Sequence, residues 1–141
     1  MILFDAYALV ALLGAERAAR SVVDLMEERG GAIASVNLAE TIDVLARIHG
    51  VAAGRTRSLV EAAVGRGLTI VAFEARHAWR AGELRAEHYH RSRQPLSLGD
   101  CAVLAVADVE AVPLATSDAP ILAVAKAERI EAIRLPSRDR R

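Results

Sequence analysis

The chain has 141 residues, of which 53% are hydrophobic and 26% charged, and its 18 basic residues balance its 18 acidic ones. This composition suits a single globular domain and excludes an intrinsically disordered chain, while the balanced charge gives no indication of a nucleic-acid partner. No apolar run reaches the ~18 residues of a membrane helix, residues 1–13 lack the basic leader of a signal peptide, and the lone Cys101 favours a cytosolic setting.

Short apolar runs alternate along the chain with segments of helical periodicity. In chain order, these predict a strand at 2–4, helices at 6–13 and 16–29, a strand at 32–34, helices at 37–48 and 51–64, a strand at 68–72, helices at 74–89 and 98–109, a strand at 112–115, a helix at 118–128 and a strand at 130–135. The third strand alternates little, so we expect it to be buried, and we expect the fifth at an edge. Residues 1–136 are predicted to form one domain, followed by a basic tail at 137–141.

This order of elements predicts an α/β fold, with parallel βαβ units joined by right-handed crossovers. Ligands of such sheets bind outside the carboxyl ends of the strands. Four acidic residues lie where a strand gives way to a helix or where a helix begins: Asp5, Glu40, Asp100 and Asp118. The sequence therefore predicts that all four face one crevice.

Each acid also has a purely structural explanation, because carboxylates are common at helix N-termini. Asp5 and Asp118 are each placed to cap the helix that follows. Asn37 and Glu40 form an N-x-x-E pair, and Asp100 ends an S-x-x-D pair, so both pairs resemble capping boxes. Capping accounts for each acid separately, and the functional hypothesis rests on their joint placement.

Several carboxylates within ~4–6 Å of one another repel unless a cation neutralises them. Oxygen ligands favour a hard ion such as Mg²⁺ or Mn²⁺, and we expect no His or Cys cluster to compete for it. Phosphodiester hydrolysis is the chemistry that suits such a site, since the ion activates water and offsets charge on the phosphate.

Four motifs occur in a characteristic order along the chain. They are Asp5 after the first strand, S-x-x-x-x-E from Ser35 to Glu40, S-L-x-D ending at Asp100, and T-x-D from Thr116 to Asp118; the segment 81–85, Ala-Gly-Glu-Leu-Arg, precedes the third. Together they resemble the PIN-domain ribonucleases, and most closely the VapC-type toxins of bacterial toxin–antitoxin pairs. The resemblance extends over essentially the whole chain.

The resemblance implies a three-layer α/β/α domain with a mainly parallel sheet of four to five strands, and a Mg²⁺- or Mn²⁺-dependent endoribonuclease acting on RNA. Asp5 and Asp100 are then the principal metal ligands, and Glu40 and Asp118 complete the site directly or through water. The hydroxyl of Thr116 is expected to hold a carboxylate or a metal-bound water. The implied partners are a second copy of the chain and a VapB-like antitoxin, whose tail crosses the groove.

Two other functions stay open. A PIN-like domain without activity would serve as a binding module, although the four acids argue against that loss. A phosphoacceptor regulator would need adjacent acids after the first strand and a Lys after a late strand. Here Ala6 and Tyr7 follow Asp5, and Lys126 falls within a predicted helix, so this alternative is ranked low.

Other polar residues are assigned to the surface or the core. His88 and His90 are predicted to be exposed, Arg47 to pair with Asp43, and Cys101 to be a small buried hydrophobe rather than a nucleophile. Single arginines are most often solvated, and a few are candidates for phosphate contacts: Arg91, Arg93, Arg138, Arg140 and Arg141.

Overall fold

The computed structural model describes residues 1–137. Five strands occupy Ile2–Phe4 (β1), Gly31–Ala34 (β2), Leu68–Val71 (β3), Leu114–Thr116 (β4) and Ala132–Arg134 (β5). Seven helices occupy Ala6–Leu13 (α1), Ala19–Arg29 (α2), Ser35–Arg47 (α3), Ala53–Gly65 (α4), Ala75–His88 (α5), Leu98–Glu110 (α6) and Ala119–Ala127 (α7). The predicted α/β fold is confirmed.

The five strands form one sheet in the order β3-β2-β1-β4-β5, and every pairing is parallel. The chain builds outward from β1 to β2 and β3, then crosses back to β4 and β5 on the other side. Strand order therefore reverses between β1 and β4, and the carboxyl ends of these two strands flank the switch point, where α/β sheets bind ligands.

Alternation along the strands sends side chains to two separate cores. Leu3 of β1 packs in a cluster with α5, α6 and α7, whereas its neighbours Ile2 and Phe4 pack in a second cluster with α1, α2 and α4. The sheet is thus covered on both faces, which gives the predicted three layers. Within the first cluster, α6 is buried without interruption from Cys101 to Ala107.

Three predicted elements differ from the structure in informative ways. The second helix begins at Ala19 rather than residue 16, and α3 begins at Ser35, directly after β2. The expectation of a buried third strand is wrong, because β3 lies at the edge of the sheet and Thr69 and Ile70 are exposed. The weak alternation of polar and apolar residues in this segment predicted burial on both faces. Burial also depends on whether a strand has a neighbour on each side, and the order of strands in the sheet decides that.

Strand β5 is the other edge, as predicted. The tail arginines Arg138, Arg140 and Arg141 lie outside the described residues. Within residues 1–137, no helix combines the length and apolar character needed to cross a membrane.

Candidate metal centre

Asp5 follows β1 and caps the N-terminus of α1, as predicted. Its Oδ1 accepts a hydrogen bond from the backbone N–H of Ala8 at 2.7 Å, and its Oδ2 accepts one from the Thr116 hydroxyl. Burial raises the pKa of Asp5 from 3.8 to about 6 despite these two hydrogen bonds, and the charges of Asp118 and Asp100 add to the rise. An ionised Asp5 is therefore costly unless a cation lies beside it.

Thr116 ends β4 and is fully buried. Its hydroxyl donates to Asp5 and accepts a hydrogen bond from the backbone N–H of Asp118 at 3.0 Å. A hydroxyl has one donor and two acceptor sites, so this single group serves both carboxylate-bearing segments. Thr116 thereby joins the end of β1 to the turn that leads into α7.

Asp100 lies in the first turn of α6, and the predicted capping box is present. The Ser97 hydroxyl accepts from the backbone N–H of Asp100 at 3.0 Å, and the Asp100 carboxylate accepts from the backbone N–H of Ser97 at 2.9 Å. Burial raises the pKa of Asp100, the hydrogen bonds from Ser97 oppose the rise, and the charge of Asp118 adds to it. Capping thus uses one carboxylate oxygen, Oδ2, and the residue still faces its acidic neighbours.

Asp118 caps α7 as predicted, accepting from the backbone N–H of Ile121 at 3.0 Å. Pro120 falls in the first turn of α7, where a missing N–H costs nothing. The cap holds the Asp118 carboxylate at the carboxyl end of β4.

Glu40 is held differently from the prediction. The N-x-x-E capping box is wrong, because α3 begins two residues earlier and its N-cap is Ala34. Asn37 instead lies inside the helix, where its side-chain Nδ2 donates to Glu40 Oε1 at 3.4 Å. Burial raises the pKa of Glu40, the hydrogen bond from Asn37 opposes the rise, and the charges of Asp100 and Asp43 add to it. The sequence therefore predicted correctly that Asn37 and Glu40 interact, but the interaction is a side-chain hydrogen bond and not a capping box.

The four acids share one electrostatic environment at the carboxyl edge of the sheet. The charges of Asp100 and Asp118 raise the pKa of Asp5, and the charge of Asp100 raises that of Glu40. Within residues 1–137, no three of the four bring ligand atoms within 4.8 Å of one another. The donor atoms are all carboxylate oxygens, which is the ligand type that Mg²⁺ and Mn²⁺ prefer.

A second group of potential ligands, which no sequence pattern predicted, lies at the carboxyl ends of α5 and α7. Ligand atoms of Glu87, His88 and Glu128 lie within 4.8 Å of one another. His88 is not the surface residue that the sequence predicted, because its side chain is only 16% exposed and its Nε2 lies 2.6 Å from Glu128 Oε1. Arg80 also donates to Glu128 at 2.9 Å. The Glu128 carboxylate is thus already neutralised by side chains of the fold.

His77 carries no pattern in the sequence that reveals its role. It is fully buried, its Nδ1 accepts from the backbone N–H of Glu74 at 2.9 Å, and its Nε2 lies 2.7 Å from Glu110 Oε1. The hydrogen bond between Glu74 and His77 closes a capping box at the start of α5. His77 therefore belongs to the scaffold and not to the acidic edge.

Two other predictions are confirmed by contacts. Arg47 donates to Asp43 at 3.0 Å on the exposed side of α3. Cys101 is fully buried, and burial raises the pKa of its thiol to about 11. Such a thiol is protonated at neutral pH and does not act as a nucleophile.

Comparison with known proteins identifies the family. A sequence profile of the PIN domain matches residues 2–127. The chain belongs to the PIN domain family. The matched range runs from β1 to the end of α7 and so includes all four acids. No curated protein matches the sequence significantly.

Solved structures of other proteins share the fold. VapC20 of Mycobacterium tuberculosis, described as a Sarcin-Ricin loop cleaving toxin, aligns with a TM-score of 0.69 and 16% identity over 87% of this chain and 94% of its own. DNA-bound VapBC of Salmonella typhimurium aligns with a TM-score of 0.67 and 23% identity over 95% of this chain and 96% of its own. VapBC2 of Rickettsia felis, bound to a promoter DNA fragment, aligns with a TM-score of 0.68 and 20% identity over 96% of this chain and 100% of its own. The resemblance to PIN domains and VapC-type toxins is thereby confirmed.

Proposed function

We propose that this protein is a divalent-metal-dependent endoribonuclease and the toxin of a toxin–antitoxin pair. One observation carries the proposal: four carboxylates lie along the carboxyl edge of the sheet and raise one another's pKa values through their charges, and burial raises the pKa of Asp5 to about 6. A structural cap needs neither the burial nor the neighbouring charges. Membership of the PIN domain family and the likeness to VapC20, a toxin that cleaves the Sarcin-Ricin loop, support the same conclusion.

In this proposal Asp5 and Asp100 hold a Mg²⁺ or Mn²⁺ ion, with Glu40 and Asp118 completing the site directly or through water. When bound, the ion supplies Lewis-acid activation of water and offsets charge on the phosphate. Glu40 orients the attacking water and accepts its proton, a role that suits a carboxyl whose pKa is raised by burial. As the water oxygen bonds to phosphorus, the bond to the leaving ester oxygen breaks, that oxygen takes up a proton from solvent, and RNA is cut.

The partners we propose are a second copy of the chain and a VapB-like antitoxin. The antitoxin partner is supported by the likeness to VapBC of Salmonella typhimurium and VapBC2 of Rickettsia felis, both solved bound to DNA. In this protein an apolar groove between α1, α2 and α4 is lined chiefly by Leu12, Leu13, Val23, Met26 and Leu59. On the other side of α4, three large apolar side chains are 42–45% exposed: Ile42, Val64 and Ile70. Exposed apolar surface of this kind marks protein interfaces.

RNA cleavage by the purified protein tests the proposed activity. We expect cleavage with Mn²⁺ or Mg²⁺, none with a chelator, and a loss on the order of 10²–10³-fold in Asp100→Asn, as for removal of one charge-stabilising group. Asn retains an oxygen for the Ser97 N–H, so the cap and the fold are expected to survive. Equal cleavage by the variant, or cleavage in chelator, would contradict the mechanism. Absence of cleavage in a wild-type protein that binds its antitoxin would favour the binding-module alternative.

Gly99→Ala provides a test of Glu40 that leaves every acid in place. A Cβ at Gly99 would lie 2.8 Å from Glu40 Oε1, whereas a Cβ at Gly82 would meet nothing within 4 Å. Gly82 lies in the interior of α5 and Gly99 in the first turn of α6, so each Ala variant gains at most about 1 kcal/mol of helix propensity and neither should unfold. We expect Gly82→Ala to keep full activity and Gly99→Ala to lose about 10–100-fold through displacement of Glu40. Equal activities of the two folded variants would remove Glu40 from the mechanism.

Thr116→Val is expected to move metal binding to higher pH. In the wild type, the hydrogen bond from the Thr116 hydroxyl lowers the pKa of Asp5. Without that bond the pKa should rise above about 6, so Asp5 should ionise only at higher pH. The affinity for Mn²⁺ near neutral pH should fall about 10–100-fold, as for other residues that orient ligands. Calorimetric titration with Mn²⁺ at several pH values measures the shift. Thr116→Ser keeps the hydroxyl and should bind like the wild type; an unshifted profile in Thr116→Val would refute the assignment.

A further inference from the structure

Two buried polar side chains of α3 bond to backbone beside the principal acids. The Thr41 hydroxyl lies 2.8 Å from the carbonyl oxygen of Asn37 and 3.3 Å from that of Ala6, the residue after Asp5. One turn earlier, Asn37 Nδ2 donates to the carbonyl oxygen of Gly99 at 3.0 Å, and Gly99 precedes Asp100. Helix α3 is therefore tied to both segments that carry the principal acids.

Asn37 makes these bonds at a cost. The residue is 1% exposed, and its Oδ1 has no hydrogen-bond partner among the described residues. A buried acceptor left unpaired destabilises the fold, because it has lost its hydrogen bonds to water without replacement. Flipping the amide would not relieve it, because Oδ1 would then face two other acceptors, Gly99 O and Glu40 Oε1. An apolar residue of similar size would remove the unpaired oxygen together with the two donated hydrogen bonds, and because these effects oppose each other, stability alone does not explain an Asn at this position.

The two N–H donors of the amide do explain it. From one atom they reach Glu40 Oε1 on α3 and Gly99 O on α6, at 3.4 and 3.0 Å. Only Asn and Gln carry a neutral NH₂ group with two donors. We propose that Asn37 is a positioning residue, which holds the Glu40 carboxylate against the first turn of α6 and so sets its spacing from Asp100. The inference rests on the proposed function, since it concerns the geometry of the same metal site.

Asn37→Leu and Thr56→Val form a matched pair that tests this role. Thr56 carries the other buried, unpaired side-chain polar atom of the described residues, and it lies on α4 rather than at the acids. Each substitution removes an unpaired atom and keeps the side-chain size. We expect Asn37→Leu to weaken Mn²⁺ binding, measured by calorimetry, about 10–100-fold. Its metal-free melting temperature should stay unchanged or rise. Thr56→Val should bind Mn²⁺ like the wild type.

A third variant covers the case in which Leu perturbs the helix. Asn37→Asp keeps the shape but replaces the donor with an acceptor oxygen, so it can no longer hold Glu40 and Gly99 by hydrogen bonds and should also bind Mn²⁺ more weakly. Wild-type Mn²⁺ affinity in either Asn37 variant overturns the positioning role, as does a lowered metal-free melting temperature in Asn37→Leu. Failure of the proposed function itself looks different, because the wild-type protein would then neither bind Mn²⁺ nor cut RNA.

Discussion

Replacing Asp5 by Asn is expected to abolish RNA cleavage and to make the metal-free fold more stable at neutral pH. Asp5 ionises at about pH 6 in the fold, against 3.8 for the ordinary carboxyl. A difference of roughly two pKa units corresponds to about 3 kcal/mol of unfavourable free energy once the group is ionised. This is an upper value for the gain, because the Thr116 hydroxyl would face an amide group in the variant.

The sign of the pH dependence follows from these pKa values. A carboxyl with a raised pKa in the fold costs nothing below its unfolded pKa of 3.8, and the cost is complete above about 6. The Asn variant should therefore match the wild type in acid and exceed it above pH 6. Denaturant unfolding in chelator across this range measures the difference.

Asp43→Asn is the matched control on the same protein. Asp43 is exposed and paired with Arg47, whose hydrogen bond lowers the pKa of this carboxyl, so removing its charge should bring no gain that grows with pH. Lower stability of Asp5→Asn above pH 6, or cleavage at the wild-type rate, would contradict both the burial cost and the metal role of Asp5.

Leu104→Ala is expected to destabilise the protein by about 2–5 kcal/mol, the usual cost of a large cavity in a packed core. Leu104 is fully buried at the middle of α6, within the continuous apolar run that packs on β1, β2 and β4. Leu98→Ala is the control, because Leu98 lies on the same helix but is 68% exposed. Its change in the free energy of unfolding should stay within about 0.5 kcal/mol.

Urea unfolding followed by circular dichroism measures both leucine variants. Because α6 also carries Asp100, the two variants show how much the packing of this helix contributes to the stability of the core beneath the site. Equal stability of the two variants would mean that α6 does not form the centre of this core.

Local chemistry explains what could be read from the sequence. Asp5, Asp100 and Asp118 bond to backbone groups three residues away, so short-range patterns sufficed to predict their caps. Apolar runs and helical periods likewise predicted the α/β order, because strands of a parallel sheet that are buried on both faces consist of nearly continuous apolar residues. The carboxyl edge then followed from topology.

Contacts between distant parts of the chain decided the rest. The family resemblance led us to expect that Thr116 holds a carboxylate, but only the structure shows that this carboxylate belongs to Asp5, 111 residues away in sequence. The contact of Asn37 with Gly99, 62 residues away, has no local signature. The edge position of β3, the capping role of His77 and the raised pKa of Asp5 depend on which elements pack together. The sequence by itself determined which acids share an edge. Only the tertiary structure decided how deeply each is buried and what holds it, because desolvation and long-range hydrogen bonds exist only once the chain has packed.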